Sequence, residues 1–271
     1  MTRRIHHLNC ASMCPPAGRF ARFMPARLVA HCLLIEGDRG LTLVDTGLGR
    51  DDIADPKRLG TPFVKAVGAV LDPAETAVAQ VRGLDLDPVD VRDVVLTHLD
   101  VDHAGGISDF PHASVHVFGE ELAAARRRAT AKEKGRYVPA QWAHDPAWVE
   151  HATGGGDSWF GFESVRVLGD DLVLVPLRGH TRGHVGVGVA RPDGGWFLHC
   201  GDAYFFHAEK EQPPSCPPGL RGFQHLVQMD KPARLANQER LRSLHADHGD
   251  EVTLFSAHDE QEFLALAPLT A

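Results

Sequence analysis

The sequence predicts an α/β fold in which mixed β-structure is layered between helices. Two observations support this prediction. Apolar runs of strand length alternate with helical spacing in both halves of the chain. The composition, with 43% hydrophobic and 24% charged residues among 271, is that of an ordinary globular protein long enough to bury a large core. The same patterns are compatible with a doubly wound parallel sheet. However, no glycine-rich dinucleotide-binding motif follows an early strand.

The first half of the chain is expected to open with an irregular stretch and to continue into a hairpin. Residues 28–36 and 41–44 form apolar runs, and the four residues between them are typical of a turn. Pro73 and Gly83 bound a helix, because proline suits a first helical turn and glycine a helix end. Further apolar runs predict, in order, a strand over 91–97, a strand over 114–118 and a helix over 120–129.

The second half is predicted to begin with a long excursion. Residues 131–160 contain tryptophans that need a surface to pack on, and long ordered loops in compact domains are often lids. Residues 203–222 are the second irregular stretch, with a Pro-rich part from 213. We therefore expect one domain over 1–271 with lid-like excursions at about 131–160 and 203–222. The other predicted elements are strands over 164–168, 172–175, 185–190, 196–200 and 252–256, and helices over 232–247 and 259–266.

Charge and cysteine content indicate which binding partners and which cellular compartment to expect. The net charge of -8 disfavours a general nucleic-acid-binding protein, because phosphate binding requires clustered lysine and arginine. No run of about 18 apolar residues predicts a membrane span, and no apolar segment follows the basic N-terminus as in a signal peptide. The five cysteines favour reduced thiols over disulfides, and Cys10 and Cys14 lack the second pair that a zinc site would need. We expect a cytoplasmic protein with a small-molecule substrate and no nucleic-acid or membrane partner, and we leave a homodimer open.

Histidine and aspartate cluster where predicted strands end. The segment 97–106, THLDVDHAGG, places four potential metal ligands within six positions: His98, Asp100, Asp102 and His103. Three further candidates follow distant segments: His184, Asp202 and His258. Side chains at strand ends can converge on one point, and nitrogen and carboxylate ligands suit zinc, iron or manganese. The sequence therefore predicts a metal site.

These motifs resemble those of the metallo-β-lactamase-fold hydrolases. The hallmark of that family is HxHxDH after a strand, followed by a distant histidine, a distant aspartate and a last histidine. The resemblance spans about residues 28 to 266 and includes Asp45. It implies a four-layer αββα sandwich, in which two mixed β-sheets are flanked by helices. It also implies a binuclear centre of two divalent metal ions. Zinc is the expected metal, and manganese or iron are alternatives.

The resemblance assigns a role to each candidate ligand. It implies two ligand sets, His98, Asp100 and His184 for one ion and Asp102, His103 and His258 for the other, with Asp202 bridging them. Asp45 would orient a ligand by hydrogen bonding. His180 has no ligand role in this pattern and is expected to be a buried turn residue beside the site.

Asp100 departs from the family pattern, which has histidine at this position. A carboxylate is a harder ligand than histidine and carries a negative charge. The carboxylates of Asp100, Asp102 and Asp202 and a bridging hydroxide would together neutralise two divalent ions. We therefore expect weak attraction for anionic substrates and tolerance of manganese or iron. A carboxylate here also resembles the flavodiiron proteins, which leaves a di-iron redox protein open. The chain has no length left for their added flavin-binding domain.

Within the family, residues 80–106 resemble the N-acyl homoserine lactonase-like branch. This resemblance implies that a metal-bridging hydroxide attacks the carbonyl of a lactone or ester and that Asp102 passes a proton to the leaving oxygen. That branch has a tyrosine three residues after the bridging aspartate to polarise the lactone. Phe205 holds this position here, and Tyr204, one residue earlier, is the candidate donor.

The two excursions are expected to supply the substrate pocket. Its candidate residues are Trp142, Trp148, Phe205, Phe206 and His207, a mainly apolar set. Because a phosphodiesterase would place cations near the metals, this wall favours a lactone or ester over a phosphodiester. A glyoxalase II-like thioesterase resembles residues 179–184, but residues 249–271 contain no lysine or arginine for its anionic substrate. Thioesterase, phosphodiesterase and di-iron redox activities are kept as alternatives.

Overall fold

Two mixed β-sheets form the centre of the fold. The structure is a computed structural model that describes residues 4–20, 22–155 and 157–267. The first sheet contains, in spatial and chain order, β1 (Arg4–Met13), β2 (Leu28–Gly37), β3 (Gly40–Val44), β4 (Val91–Val95), β5 (Ser114–Phe118) and β6 (Ala147–His151). Strands β1 to β3 pair antiparallel, and β3 to β6 pair parallel.

The second sheet is reached through a small hairpin, β7 (Ser158–Trp159) and β8 (Phe162–Glu163). It runs from its edge strand β9 (Val165–Arg166) through β10 (Leu172–Pro176), β11 (Val185–Ala190) and β12 (Trp196–His199) to β13 (Val252–Phe255). Strands β12 and β13 pair parallel and the other pairs are antiparallel.

Helices cover the outer faces of both sheets. In chain order they are α1 (Arg50–Ala54), α2 (Thr61–Val67), α3 (Ala77–Gly83), α4 (Val101–Ala104), α5 (Gly119–Arg127), α6 (Ala131–Arg136), α7 (Pro218–Val227), α8 (Lys231–His248) and α9 (Glu260–Leu266). Within the described ranges, no helix combines the length and the apolar character that crossing a membrane requires.

The layering follows from the two-residue period of the strands. In β2, Leu33 and Ile35 face a core shared with β10, β11 and β12, whereas Leu34 faces the opposite side and packs with α3 and α5. On the far side of the second sheet, Leu241 and Leu244 of α8 pack against β10, β12 and β13. The four layers are therefore helix, sheet, sheet and helix, which confirms the predicted αββα sandwich.

The N-terminal segment differs from its prediction as irregular chain, since β1 is a ten-residue strand. Its polar residues obscured the alternation of a strand, yet most of its side chains are buried. One nitrogen of each histidine ring has a partner elsewhere: His7 Nδ1 lies 2.8 Å from His31 Nε2, and His6 Nε2 lies 2.7 Å from Glu36 Oε1. Hydrogen bonding to residues distant in sequence makes this polar strand compatible with burial.

The excursion 131–160 also has more regular structure than predicted. It contains α6, a 3₁₀ helix at Pro139–Trp142 and strand β6, which extends the first sheet. The predicted helix over 73–83 is divided, because Pro73–Glu75 form a 3₁₀ turn and Thr76 caps the α-helix that follows. A side chain able to cap a helix outweighs proline as its starting signal here.

Candidate metal centre

Two groups of histidine and carboxylate side chains meet at one end of the two sheets. The first contains His98, Asp100, His180 and Asp202, and the second contains Asp102, His103 and His258. In each group, one ligand atom from every member lies within 4.8 Å of the others. The loops after β4, β12 and β13 carry most of these residues, and the turn between β10 and β11 carries His180.

Asp45, at the end of β3, holds the loop that follows β4. Its Oδ1 accepts the Thr97 backbone N–H at 2.8 Å, and its Oδ2 accepts the Thr97 hydroxyl at 2.7 Å. The same Oδ2 lies 2.8 Å from His103 Nδ1. Nδ1 is thereby the protonated nitrogen of His103, and Nε2 is left to face the second group. This is the orienting contact that the resemblance implied for Asp45.

The Asp202 carboxylate lies between the two groups. Its Oδ1 is 3.2 Å from His103 Nε2 and 3.0 Å from His258 Nε2. Its Oδ2 is 3.2 Å from His180 Nε2 and 3.8 Å from His98 Nε2. One carboxylate therefore reaches ligand nitrogens of both groups, as a bridging ligand must.

The hydrogen bonds of the other histidines also leave Nε2 available. His258 Nδ1 donates to the Val29 carbonyl at 2.7 Å, and His98 Nδ1 lies 2.9 Å from the Thr97 hydroxyl. Among the described residues, three buried ligand atoms have no hydrogen-bond partner: His98 Nε2, Asp100 Oδ1 and Asp202 Oδ1. Unpartnered buried polar atoms are costly and rare. Their convergence fits the binding of divalent cations, and no cation is part of the structure.

The protonation states of His180 and Asp202 agree with cation binding, whereas nearby carboxylates outweigh burial and raise the pKa of His103 and that of His258 above the usual value. Burial lowers the pKa of His180 to about 4, although the Asp202 carboxylate acts in the opposite direction. Burial raises the pKa of Asp202, but the nearby His258 and His103 outweigh it and hold that pKa well below the usual range. His180 is therefore neutral and Asp202 ionised near neutral pH, the forms in which both side chains bind metals.

Of the two histidines His180 and His184, only His180 belongs to the first group as the structure has it. His184 Nδ1 donates to the Leu177 carbonyl at 3.0 Å, and its Nε2 accepts the Asp202 backbone N–H at 2.9 Å. Both nitrogens of His184 are thus used by the backbone, whereas His180 Nε2 lies 2.9 Å from Asp100 Oδ2. Gly201, with a φ of 52°, permits this close approach, since a Cβ there would lie 2.5 Å from His184 Nε2. In the structure, His180 therefore stands in the first group at the place for which the resemblance implied His184.

A family model confirms the relationship that the motifs indicated. The model of the metallo-beta-lactamase superfamily matches residues 26–248. The chain belongs to the metallo-β-lactamase superfamily. The match covers the whole ligand set except His258, which the structure brings into the second group. Family and fold are as predicted, and the chain is an enzyme of the metal-dependent hydrolase class.

Two curated relatives illustrate the range of similarity. The enzyme is 40% identical over 261 residues to the probable metallo-hydrolase Rv2300c of Mycobacterium tuberculosis, an alignment that covers 94% of this chain and 80% of that protein. It is 37% identical over 81 residues to the N-acyl homoserine lactonase AttM of Azorhizobium caulinodans, which covers 30% of this chain and 31% of that protein.

Solved lactonase structures share the fold of the enzyme. A structure of an N-acyl homoserine lactone hydrolase, with the product N-hexanoyl-L-homoserine at its catalytic metal center, matches with a TM-score of 0.73 and 18% identity, covering 98% of this chain and 97% of that one. AidC, a dizinc quorum-quenching lactonase, matches with a TM-score of 0.55 and 15% identity over 86% of this chain and 74% of that one.

A cavity of about 530 Å³ opens onto both ligand groups. The residues at its base are Asp100, Asp102, His180, Asp202 and His258. Most of its wall is apolar and comes from β1, β2, α2, α7 and the loops between them: Met13, Leu28, Leu59, Phe63, Ala66, Val67, Val101, Phe205, Phe223, Leu226 and Val227. The contribution of α2 and of the second half of α7 is not visible in the sequence, because an amphipathic helix that borders a cavity has the same pattern as one that packs on a core.

The predicted pocket residues are only partly correct. Phe205 lines the cavity, but Trp142 and Trp148 pack against the core outside the first sheet. Phe206 and His207 line a smaller neighbouring cavity of about 150 Å³. Of the described residues in 131–160, Lys132, Gly135 and Arg136 border the main cavity. Tryptophan was a misleading signal, since a large apolar ring serves core packing as well as binding.

Tyr204 does not face the ligand groups. Its side chain is 1% exposed and packs in the core beneath α8. Its hydroxyl donates to Glu262 Oε1 at 3.0 Å, and burial raises the pKa of this hydroxyl well above the usual range. The expectation that Tyr204 polarises a substrate is therefore contradicted, because its proton is committed to a buried carboxylate.

Arg136 is the charged residue that sequence analysis missed. Its Nη1 donates to Asp100 Oδ2 at 2.6 Å, and its Nη2 donates to the Val227 carbonyl. The side chain is only 6% exposed. Burial raises the pKa of Asp100, but Arg136, His98 and His180 together outweigh it and hold that pKa well below the usual range. A single arginine within a helix has no local signal, so the pair is visible only in the folded chain.

Glu121 is a second residue without a local signal. Its fully buried carboxylate accepts the Leu99 backbone N–H at 3.1 Å and the Gly183 backbone N–H at 3.0 Å. These two amides belong to the loops that carry His98 and His180. Glu121 therefore ties together the two segments of the first ligand group.

Proposed function

We propose that the enzyme is a binuclear metal-dependent hydrolase that cleaves a lactone or carboxylic ester carrying an apolar acyl group. The observation that carries this proposal is the cavity, whose base consists of the two ligand groups and whose wall is largely apolar. Apolar pockets with a few convergent polar groups are typical of small-molecule sites. An acyl chain in this cavity would present its carbonyl at the ligand groups.

The first ion would be held by His98, Asp100 and His180, the second by Asp102, His103 and His258, with Asp202 shared. When bound, two divalent ions would supply activated water and polarise the carbonyl oxygen. His103 would keep its orientation through Asp45, and His258 through the Val29 carbonyl. Asp102, at the base of the cavity, would carry the proton to the leaving oxygen through its carboxylate.

The composition of the wall favours an apolar group on the substrate. Phe63 and Val67 of α2 and Phe223 and Leu226 of α7 all line the cavity. The lactonases among the relatives and solved structures act on N-acyl homoserine lactones, which supports this substrate class without identifying the acyl group. Zinc is the proposed metal, since AidC is a dizinc protein. The free cysteines support the cytoplasm as the proposed compartment.

The test is a comparison of substrates with one metal loaded. Purified enzyme is stripped with a chelator, reloaded with zinc, and assayed against γ-lactones and aryl esters of increasing acyl length and against bis-aryl phosphodiesters. We expect kcat/KM to rise with acyl length and to favour the carbonyl substrates. Arg136 and Lys132 at the cavity make the phosphodiester the informative competitor. A phosphodiester preference would contradict the proposal, and so would iron-dependent consumption of dioxygen without hydrolysis.

A further inference from the structure

Arg136 places a positive charge directly behind one ligand of the first group. Its Nη1 lies 2.6 Å from Asp100 Oδ2, and His180 Nε2 lies 2.9 Å from the same oxygen. The other oxygen, Asp100 Oδ1, has no hydrogen-bond partner among the described residues. One carboxylate is therefore shared between a permanent cation and a predicted ion site.

The second group has the opposite arrangement. Behind His103 lies the Asp45 carboxylate, 2.8 Å from Nδ1. An anion behind a ligating histidine makes the ring a better electron donor. A cation behind a ligating carboxylate withdraws electron density from it and repels an incoming divalent ion. The charged partners thus favour cation binding in the second group and oppose it in the first.

We propose that Arg136 is a positioning residue that holds the Asp100 carboxylate in the metal-free enzyme, competes with a metal ion for it, and makes the His98–Asp100–His180 group the weaker of the two metal sites. This inference rests on the binuclear site proposed above. It also accounts for Asp100 in a position where the family pattern has histidine. Asp100 and Arg136 together carry no net charge, so the pair replaces a neutral ligand.

The geometry explains why Arg136 is held at this position. The guanidinium is fixed by Asp100 on one side and by the Val227 carbonyl at the end of α7 on the other. Lys132, one turn earlier on α6, makes a similar contact with the residue that follows Val227, since its Nζ donates to the Gln228 carbonyl at 2.8 Å. Both cations border the cavity, but the contact with Asp100 belongs to Arg136. Lys132 is therefore a matched control for the charge and for the α6–α7 contact.

The first experiment measures zinc binding without substrate. Metal-free wild type, Arg136→Met and Lys132→Met are titrated with zinc chloride in competition with a chromophoric chelator, and bound zinc is counted by elemental analysis. We expect two separable binding steps in wild type. Arg136→Met should tighten the weaker step about ten- to a hundredfold and leave the tighter step unchanged, the range typical of residues that act behind a ligand. Lys132→Met should change neither step.

Three outcomes would overturn the inference. If Arg136→Met weakens the step, Arg136 orients Asp100 for the metal and does not compete with it. If it changes neither step, Arg136 is only part of the cavity wall. If Lys132→Met produces the same shift, the effect comes from total charge or from the α6–α7 contact.

A second pair of variants keeps the inference testable if Arg136→Met fails to fold. Asp100→His supplies the family's ligand but leaves Arg136 unpaired beside the ion. We expect this variant to bind zinc at the weaker step at least about tenfold less tightly than wild type. Adding Arg136→Gln, which keeps a polar side chain without the charge, should restore the affinity. Unchanged zinc affinity in Asp100→His would contradict the repulsion between Arg136 and the ion on which this inference depends.

These readouts separate the inference from the proposed hydrolysis. A protein that binds two zinc ions with the predicted response to Arg136→Met, but hydrolyses no lactone or ester, would refute the proposed activity alone. An active lactonase whose zinc affinity is unchanged by Arg136→Met would refute this inference alone. Wild type that binds fewer than two ions would refute the binuclear centre and this inference together.

Discussion

The His103 ring is fixed by Asp45, whose Oδ2 lies 2.8 Å from Nδ1. The two residues belong to different segments, one directly after β3 and one in helix α4, and the same carboxylate also accepts from the amide and hydroxyl of Thr97. Burial raises the pKa of Asp45, but His103 outweighs it and lowers this pKa to about 2. An ionised carboxylate therefore orients the second ligand group at neutral pH.

Asp45→Asn should weaken metal binding at the second group by about ten- to a hundredfold. The amide keeps the volume and tolerates the left-handed backbone at this position, where φ is 56°, but it lacks the charge that supports His103. The measurement is zinc affinity of the stripped protein. Asp93→Asn is the control, because Asp93 makes a similar contact with His116, 2.9 Å long, outside both ligand groups. An equal loss in both variants would contradict the orienting role.

His180→Ala and His184→Ala should have different effects. Since His180 Nε2 faces Asp100 and Asp202, its removal should reduce bound zinc from two ions to about one per chain. His184→Ala removes two hydrogen bonds to buried backbone groups, so it should lower the free energy of unfolding by about 2–4 kcal/mol while both ions still bind. Elemental analysis and chemical denaturation measure the two effects. Loss of an ion only in His184→Ala would restore the original assignment.

Tyr204→Phe should affect stability and leave catalysis unchanged. The variant removes the hydroxyl that donates to Glu262, a buried carboxylate that also accepts from Lys210 Nζ at 2.6 Å and from the Ser256 amide at 2.7 Å. With two donors remaining, the loss in unfolding free energy should be about 1–3 kcal/mol. Steady-state kinetics on the best lactone or ester provides the second readout. A large fall in kcat at normal stability would show that the hydroxyl acts on the substrate.

Phe63→Ala should lower kcat/KM for long-chain substrates about tenfold and affect short-chain substrates much less. The ring borders the cavity, and its removal exposes apolar surface that a long acyl chain would cover. Trp142→Phe is the comparison, since Trp142 packs against the core outside the first sheet. Kinetics across an acyl-length series measures both variants. If Trp142→Phe changes the preference for acyl length and Phe63→Ala does not, then residues 131–160 form the pocket, as the sequence suggested.

Most secondary structure that positions the site could be predicted from the sequence. The strands over 114–118 and 185–190 have the predicted bounds, and the strands that lead to His98, Asp202 and His258 end within two residues of their predicted ends. Apolar runs of strand length are local signals, and polar residues directly after them are local as well. The exception is β1, whose buried polar residues depend on partners such as His31 and Glu36.

The sequence by itself determined the family and the four-layer fold, and it named six of the seven residues that meet in the two candidate ligand groups, because motif spacing and strand ends are local properties. Tertiary structure decided between His180 and His184, since the ring nitrogens that remain available depend on the carbonyl of Leu177 and the amide of Asp202. It likewise decided the partner of Tyr204 and paired Arg136 with Asp100. Each of these outcomes depends on hydrogen bonds between segments distant in sequence, and only packing determines which segments meet.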